Sequence, residues 1–212
     1  MGIMGKEAII VKNVNFDFLN FQKYILDKIK NIEWKDDYAP GISSKPKLTR
    51  EEQVEVKAYT DANGDAPGSM WCTLYLNDYW ISQIEETCGC KVYPEFYLWN
   101  FLKYKKLHLH LDKNTFGYGR NASAIIPIKE LFALNIHYDP PNTNIAHTEV
   151  YGPGQVCMLN NTEYWHSGDV ISATRLSLHF YLDLVLPYKA SGKWSMLELL
   201  DKGKLKNEIK RN

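Results

Sequence analysis

The chain has 212 residues, 25 basic against 25 acidic side chains and no formal net charge. That length fits one domain able to bury most of its apolar surface without disulfides. The charge balance argues against a dedicated nucleic-acid binder, which carries a basic footprint; an enzyme acting on nucleic acid stays open.

Residues 1–14, MGIMGKEAIIVKNV, lack the sustained apolar run and small-residue cleavage site of a secretory leader. No stretch is apolar over the length needed to span a bilayer, so no membrane attachment is expected. Cys72, Cys88, Cys90 and Cys157 are scattered, and Cys88-Gly89-Cys90 is too tight for a zinc knuckle. The expectation is four reduced, buried thiols in a cytoplasmic protein.

In chain order, Phe18, Phe21, Ile25, Ile29 and Ile32 recur at helical spacing. Ala39-Pro40-Gly41 and Ser43 to Pro46 mark a loop. Thr49, with Glu52 three residues on, reads as a capping box opening a polar helix to about Ala58. Asp61 to Ser69, rich in Gly, Asp, Asn and Pro, is a loop and by composition a candidate lid. Trp71 to Glu86 mixes aromatic and polar residues and ends in a helix. Tyr75, Tyr79, Trp80, Tyr97 and Trp99 make this half aromatic-rich, chiefly for packing.

From Tyr97 the pattern changes to alternating runs at 106–112, 123–128, 134–138, 145–151, 155–159 and 174–184, separated by Gly, Pro and Asn clusters. Short strands in that succession predict an antiparallel jelly roll. Ser195 to Lys210 reads as a charged helix with Met196, Leu199, Leu200 and Leu205 inward. The fold class is therefore mainly β with flanking helices, in one domain. A mainly helical part, 1–96, packs on the sheet, 97–185 forms the β core, and 186–212 is a closing helix.

The chemistry gathers in two distant segments. On a strand, His108, His110 and Asp112 share one face and Leu107, Leu109 and Leu111 the other. An imidazole and a carboxylate two residues apart on one face can reach the same metal. Residues 113–165 hold about four to six strands, so His166 falls where a late strand can return beside the first. Two imidazoles and one carboxylate on one face of a ferrous ion leave its other positions open. A competing pair, His137 and Asp139, is closer to His166, and Asp139 abuts Pro140-Pro141 at a strand end; His110 and Asp112 are favoured. His108 then lines the pocket, His147 is a strand or loop residue, and His179 is interior or surface.

Past His166, Arg175, Ser177, His179 and Tyr181 alternate with Leu176, Leu178, Phe180 and Leu182. An inward Arg175 presents a planar fork for a carboxylate, with the Ser177 hydroxyl beside it.

Together His110-x-Asp112, His166 and Arg175-x-Ser177 resemble the 2-oxoglutarate- and Fe(II)-dependent dioxygenases. The stretches AIIPI and YGPGQVCMLNNTEYWHSGDVISATRLSLHFYL look closest to the aspartyl/asparaginyl and prolyl hydroxylase-like branches, over roughly residues 97–185. The resemblance implies a double-stranded β-helix, Fe(II) on His110, Asp112 and His166, and 2-oxoglutarate on Arg175 and Ser177. It also implies O2 as oxidant and oxidative decarboxylation to succinate. Retention of Asp112 points to hydroxylation over halogenation. Ile125-Ile126-Pro127 offers no basic residue for the second carboxylate of the co-substrate; Tyr118, Arg120 or Asn121 would have to serve. The implied substrate is a protein side chain, a free amino acid or a small metabolite. Nothing in the sequence sets the oligomeric state.

Two other readings stand beside this one. His108-Leu109-His110-Leu111-Asp112 matches the start of the HxHxDH motif of metallo-β-lactamase-like hydrolases, but Lys113 replaces the next histidine. A metal-free β-sandwich binding module is the other. Metal analysis separates them: one iron, two zincs, or none.

Overall fold

A computed structural model describes residues 5–31, 35–36, 70–101, 106–111, 122–138, 144–170, 175–184 and 192–209. A 3-10 turn, Lys6–Ala8, leads into β1 (Ile9–Asn13), then α1 (Phe18–Lys28), which tightens into a second 3-10 turn, Ile29–Asn31. The two-residue β2 (Lys35–Asp36) and β3 (Met70–Leu74) precede α2 (Asp78–Cys88). Then come β4 (Val92–Phe101), β5 (Lys106–His110), β6 (Ser123–Lys129), β7 (Phe132–His137) and β8 (Ile145–Tyr151). The chain ends with β9 (Gln155–Leu159), β10 (His166–Val170), β11 (Arg175–Leu182) and α3 (Met196–Ile209).

The strands form two antiparallel sheets. The major one runs β1-β9-β6-β11-β4-β3-β2 and the minor one β5-β10-β7-β8. This is a jelly roll, with three helices among the described residues.

Local chemistry sets the helix ends. Asp17 accepts from the Asn20 amide at 3.1 Å and Asn77 from the Trp80 amide at 3.1 Å, so each satisfies an otherwise orphaned N–H. Gly89 closes α2 with φ 77°, a conformation side chains with a Cβ resist. Ser195 and Glu198 form a reciprocal capping box that starts α3: the Glu198 amide donates to the Ser195 hydroxyl and the Ser195 amide to the Glu198 carboxylate.

Two cores result. Ala124, Ile126, Ile128, Val156, Met158, Leu176, Leu178, Phe180 and Leu182 turn to one face of the major sheet. There they meet Phe21 and Ile25 of α1, Trp80 and Ile84 of α2, and Met196, Leu199 and Leu200 of α3. The alternate residues Ile125, Cys157 and Leu159 turn to the other face. They pack against Phe132, Leu134, Ile136 and Tyr151 of the minor sheet. The central strands are therefore buried on both faces. All four cysteines are buried and outside any disulfide, and burial pushes the Cys88 and Cys157 thiols up.

The part expected to be mainly helical, 1–96, holds α1 and α2 but also supplies β1, β2, β3 and the first half of β4 to the major sheet. Ile9-Ile10-Val11 is too short a run to announce a strand, and it becomes one because it pairs along β9 from Ile9↔Leu159 to Asn13↔Gln155. The capping box at Thr49 and Glu52, the helix to Ala58, the 61–69 loop and Ile32 lie outside the described residues. No described helix is long and apolar enough to cross a membrane.

Candidate active site between the two sheets

β11 positions the polar residues. Its Leu176, Leu178, Phe180 and Leu182 belong to the helix-side core, so Arg175, Ser177, His179 and Tyr181 face the space between the sheets. The neighbouring strands put Ile125 and Cys157 on that same inner face, in line with His179. Burying polar groups costs free energy unless they are hydrogen-bonded, and Ser177 and His179 bond each other on this face. At the Leu176–Ser177 step the ladder to β6 shifts register beside Pro127, which has no N–H to contribute.

Arg175 is 0% exposed. Its guanidinium carbon lies 3.1 Å from the centre of the Phe132 ring, reaching from one sheet to the other. Burial pulls the guanidinium from its usual range down to about 9, and the nearby Tyr151 hydroxyl and Cys157 oppose that shift. At neutral pH it therefore remains a cation held in a dry, aromatic slot. Burial raises the Tyr151 hydroxyl well above its ordinary range, so that group stays neutral beside the cation. Ser177 Oγ is 2.9 Å from His179 Nε2 on the same face.

On the minor sheet, β10 runs between β5 and β7. His166 stands opposite His110 of β5 and opposite Ile136 of β7. Facing residues of an antiparallel ladder share a sheet face, which puts His166 on the face of Ile136. Ile136 belongs to the inter-sheet core, so His166 is on the inner face, and it is 6% exposed. Its Nδ1 is 3.0 Å from the Tyr164 carbonyl oxygen. A carbonyl only accepts, so Nδ1 carries the proton and Nε2 carries the lone pair, the form that binds metals.

The expected residues are thus distributed as follows. His110 and His166 stand at one register position on adjacent strands, and Arg175 and Ser177 lie on the inner face of the opposing sheet. Asp112 lies outside the described residues, as do Asp139, Lys113, Tyr118, Arg120 and Asn121. Among the described residues no three His, Cys, Asp or Glu side chains stand close enough to hold a metal. The competing His137 points away from this site: its Nε2 is 2.7 Å from the hydroxyl of Ser167, on the face opposite His166. His147 Nε2 lies 3.0 Å from Glu149 on β8.

The aromatic residues divide by place. Trp80 joins the helix-side core, while Tyr75 and Tyr79 are exposed. Tyr97 and Trp99 are half-buried on the inner face of the major sheet. Trp71 stacks on Trp99 at 5.9 Å and meets Tyr97 at 6.1 Å; Tyr97 meets Tyr181 edge-on at 6.4 Å, and Trp99 meets His179 at 6.1 Å. They form an aromatic wall next to Ser177, because Trp99 is its ladder partner.

Sequence reasoning missed Phe132 and Tyr151 as companions of Arg175. Removing the Tyr151 hydroxyl tests that role. Tyr151→Phe is expected to leave the urea midpoint unchanged or slightly raised, because the buried hydroxyl has no hydrogen-bond partner among the described residues and its removal forfeits no satisfied contact. A loss of about 0.5–1.5 kcal/mol would show that the hydroxyl supports the cation through a bond of ordinary strength.

No protein-family model and no curated protein matches the chain by sequence. Solved structures do match by fold. OsALKBH1 aligns with TM-score 0.53 and 10% identity, over 82% of this chain and 97% of that one. A prolyl hydroxylase from Trichoplax adhaerens, solved with a hypoxia inducible factor oxygen degradation domain peptide, aligns with TM-score 0.53 and 10% identity, over 85% and 86%. At such identity the likeness establishes the shared jelly-roll architecture.

Proposed function

We propose that this chain is a non-haem Fe(II) dioxygenase that couples oxidative decarboxylation of 2-oxoglutarate to hydroxylation of an organic substrate. The substrate class is an amino-acid side chain or a small metabolite. The observation that carries the reading is the register of His166 opposite His110, with the buried Arg175 on the inner face of the opposing sheet. A fold shared with a prolyl hydroxylase supports it.

The donor set fits the metal. His110, Asp112 and His166 would hold Fe(II): two imidazoles and a carboxylate suit a ferrous ion with open positions. When bound, the iron supplies the activation of O2 that side chains cannot perform. The remaining work falls to the chain itself. Tyr164 keeps His166 in the binding tautomer. Arg175, still charged and already stacked on Phe132, would hold a keto-acid carboxylate with Ser177 alongside. The aromatic wall of Trp71, Trp99 and Tyr97 would bound the substrate and exclude water.

The alternatives draw less support. A dinuclear hydrolase requires a histidine where Lys113 stands, and a metal-free module leaves the polar inner face of β11 unexplained.

Anaerobic titration with Fe(II) and 2-oxoglutarate tests the proposal. A weak visible charge-transfer band saturating at one iron per chain is expected, with succinate formed once O2 is admitted. Absence of the band, with two zincs per chain by metal analysis, would overturn it.

A further inference from the structure

The turn that carries His166 into its strand is gripped from both ends of the described chain. Asn160, fully buried, uses its whole side chain. Its Nδ2 donates to Glu163 Oε2 at 2.8 Å and to the Trp194 carbonyl at 2.7 Å. Its Oδ1 accepts from the Glu163 amide at 3.3 Å and the Thr162 hydroxyl at 3.4 Å. Its own amide donates to the Ala8 carbonyl at 3.0 Å. The Glu163 carboxylate also accepts from the Trp194 amide at 2.6 Å, and Lys193 sits 4.9 Å over the Tyr164 ring. Directly after Trp194 comes the capping box of α3, whose Met196, Leu199 and Leu200 are buried on the major sheet.

These contacts form one chain of cause. The docked helix fixes Trp194, Trp194 and Asn160 fix the Glu163 carboxylate, and the next residue presents the carbonyl that accepts the Nδ1–H of His166. We infer that Glu163 is a positioning residue: it ties α3 to the Tyr164 carbonyl and thereby sets the tautomer of His166. The inference rests on the proposed metal role of His166 for its consequence, but the tautomer itself is independent of that role. Outer partners of metal-binding histidines change affinity about 10–100-fold when removed, and a charge-assisted contact exceeds a neutral one in strength.

Nitrogen-15 NMR of the histidines in metal-free protein at pH 8 tests this, alongside Co(II) binding. Wild type is expected to show His166 with Nδ1 protonated. Glu163→Ala is expected to mix the tautomers and weaken Co(II) about 10-fold, while Glu163→Gln, which keeps an acceptor for the Trp194 amide, largely restores both. Ile84→Val, in the helix-side core, controls for lost stability and should move neither readout. Should Glu163→Ala fail to fold, Glu163→Gln and Lys193→Ala are compared instead, with the same two readouts and smaller shifts in both. A folded Glu163→Ala, or both substitute variants, with the wild-type tautomer and wild-type Co(II) affinity would overturn the inference. Wild-type protein that binds no metal would instead sink the proposed function, leaving the tautomer result to decide the role of Glu163.

Discussion

Replacing His166 with alanine is expected to abolish Fe(II) binding, and with it succinate production, while the chain still folds. The imidazole donates to the Tyr164 carbonyl, and leaving that acceptor unpaired costs about 1–3 kcal/mol. The functional loss is expected to be far larger, because on the proposed reading three donors would hold the ion and two would not suffice. His110→Ala and Asp112→Ala should behave alike. His137→Ala is the control: that side chain bonds Ser167 on the opposite face, so it should keep metal binding and turnover. Equilibrium dialysis with Fe(II) under argon reads the result, and undiminished binding in the His166 variant would remove the ligand assignment.

Arg175→Met should separate function from stability. Methionine keeps the length and the apolar stem, so packing on Phe132 survives. Exchanging a buried charge for an apolar group of similar volume is often neutral or stabilising by about 1–4 kcal/mol. The variant is therefore expected to fold at least as stably as the parent, to bind metal normally, and to need on the order of 100-fold more 2-oxoglutarate, as loss of a bidentate charged contact implies. The pH dependence carries its own sign. In the folded chain the guanidinium is depressed to about 9 by burial, so between that pH and its ordinary range the unfolded chain binds the extra proton. Wild type then gains stability relative to the variant as pH rises through 9, and below 9 the difference between them is constant. Urea unfolding from pH 7 to 10 measures that difference. An unchanged keto-acid requirement would show that Arg175 serves packing alone.

The β half of the molecule was legible because its strands alternate. The runs at 123–128, 145–151 and 155–159 match β6, β8 and β9 within a residue, and Arg175-x-Ser177 was read inward from the same alternation. β10 was not legible as a strand: of His166-Ser167-Gly168-Asp169-Val170 only Val170 is β-branched, and no face is apolar. It is a strand because β5 and β7 each offer it a ladder. The same holds for β1 beside β9. The partnership of Arg175 with Phe132 and Tyr151 had no signal at all, since it arises where two sheets meet and no spacing along one strand encodes it. That His166 would return beside His110 followed from counting strands between them, which bounds topology without fixing a register.

The pairing of β1 with β9 bears on how the chain is made. Residue 13 leaves the ribosome long before residue 155 exists, and at about 5–20 residues per second the 142 residues between them take roughly 7–28 s. Throughout it, Ile9, Ile10 and Val11 have no native strand to lie along. The turn at Asn160, bonded to Ala8 and Trp194, is likewise assembled last. A nascent chain arrested before β9 emerges should therefore be open to proteases and chaperones at its first strand.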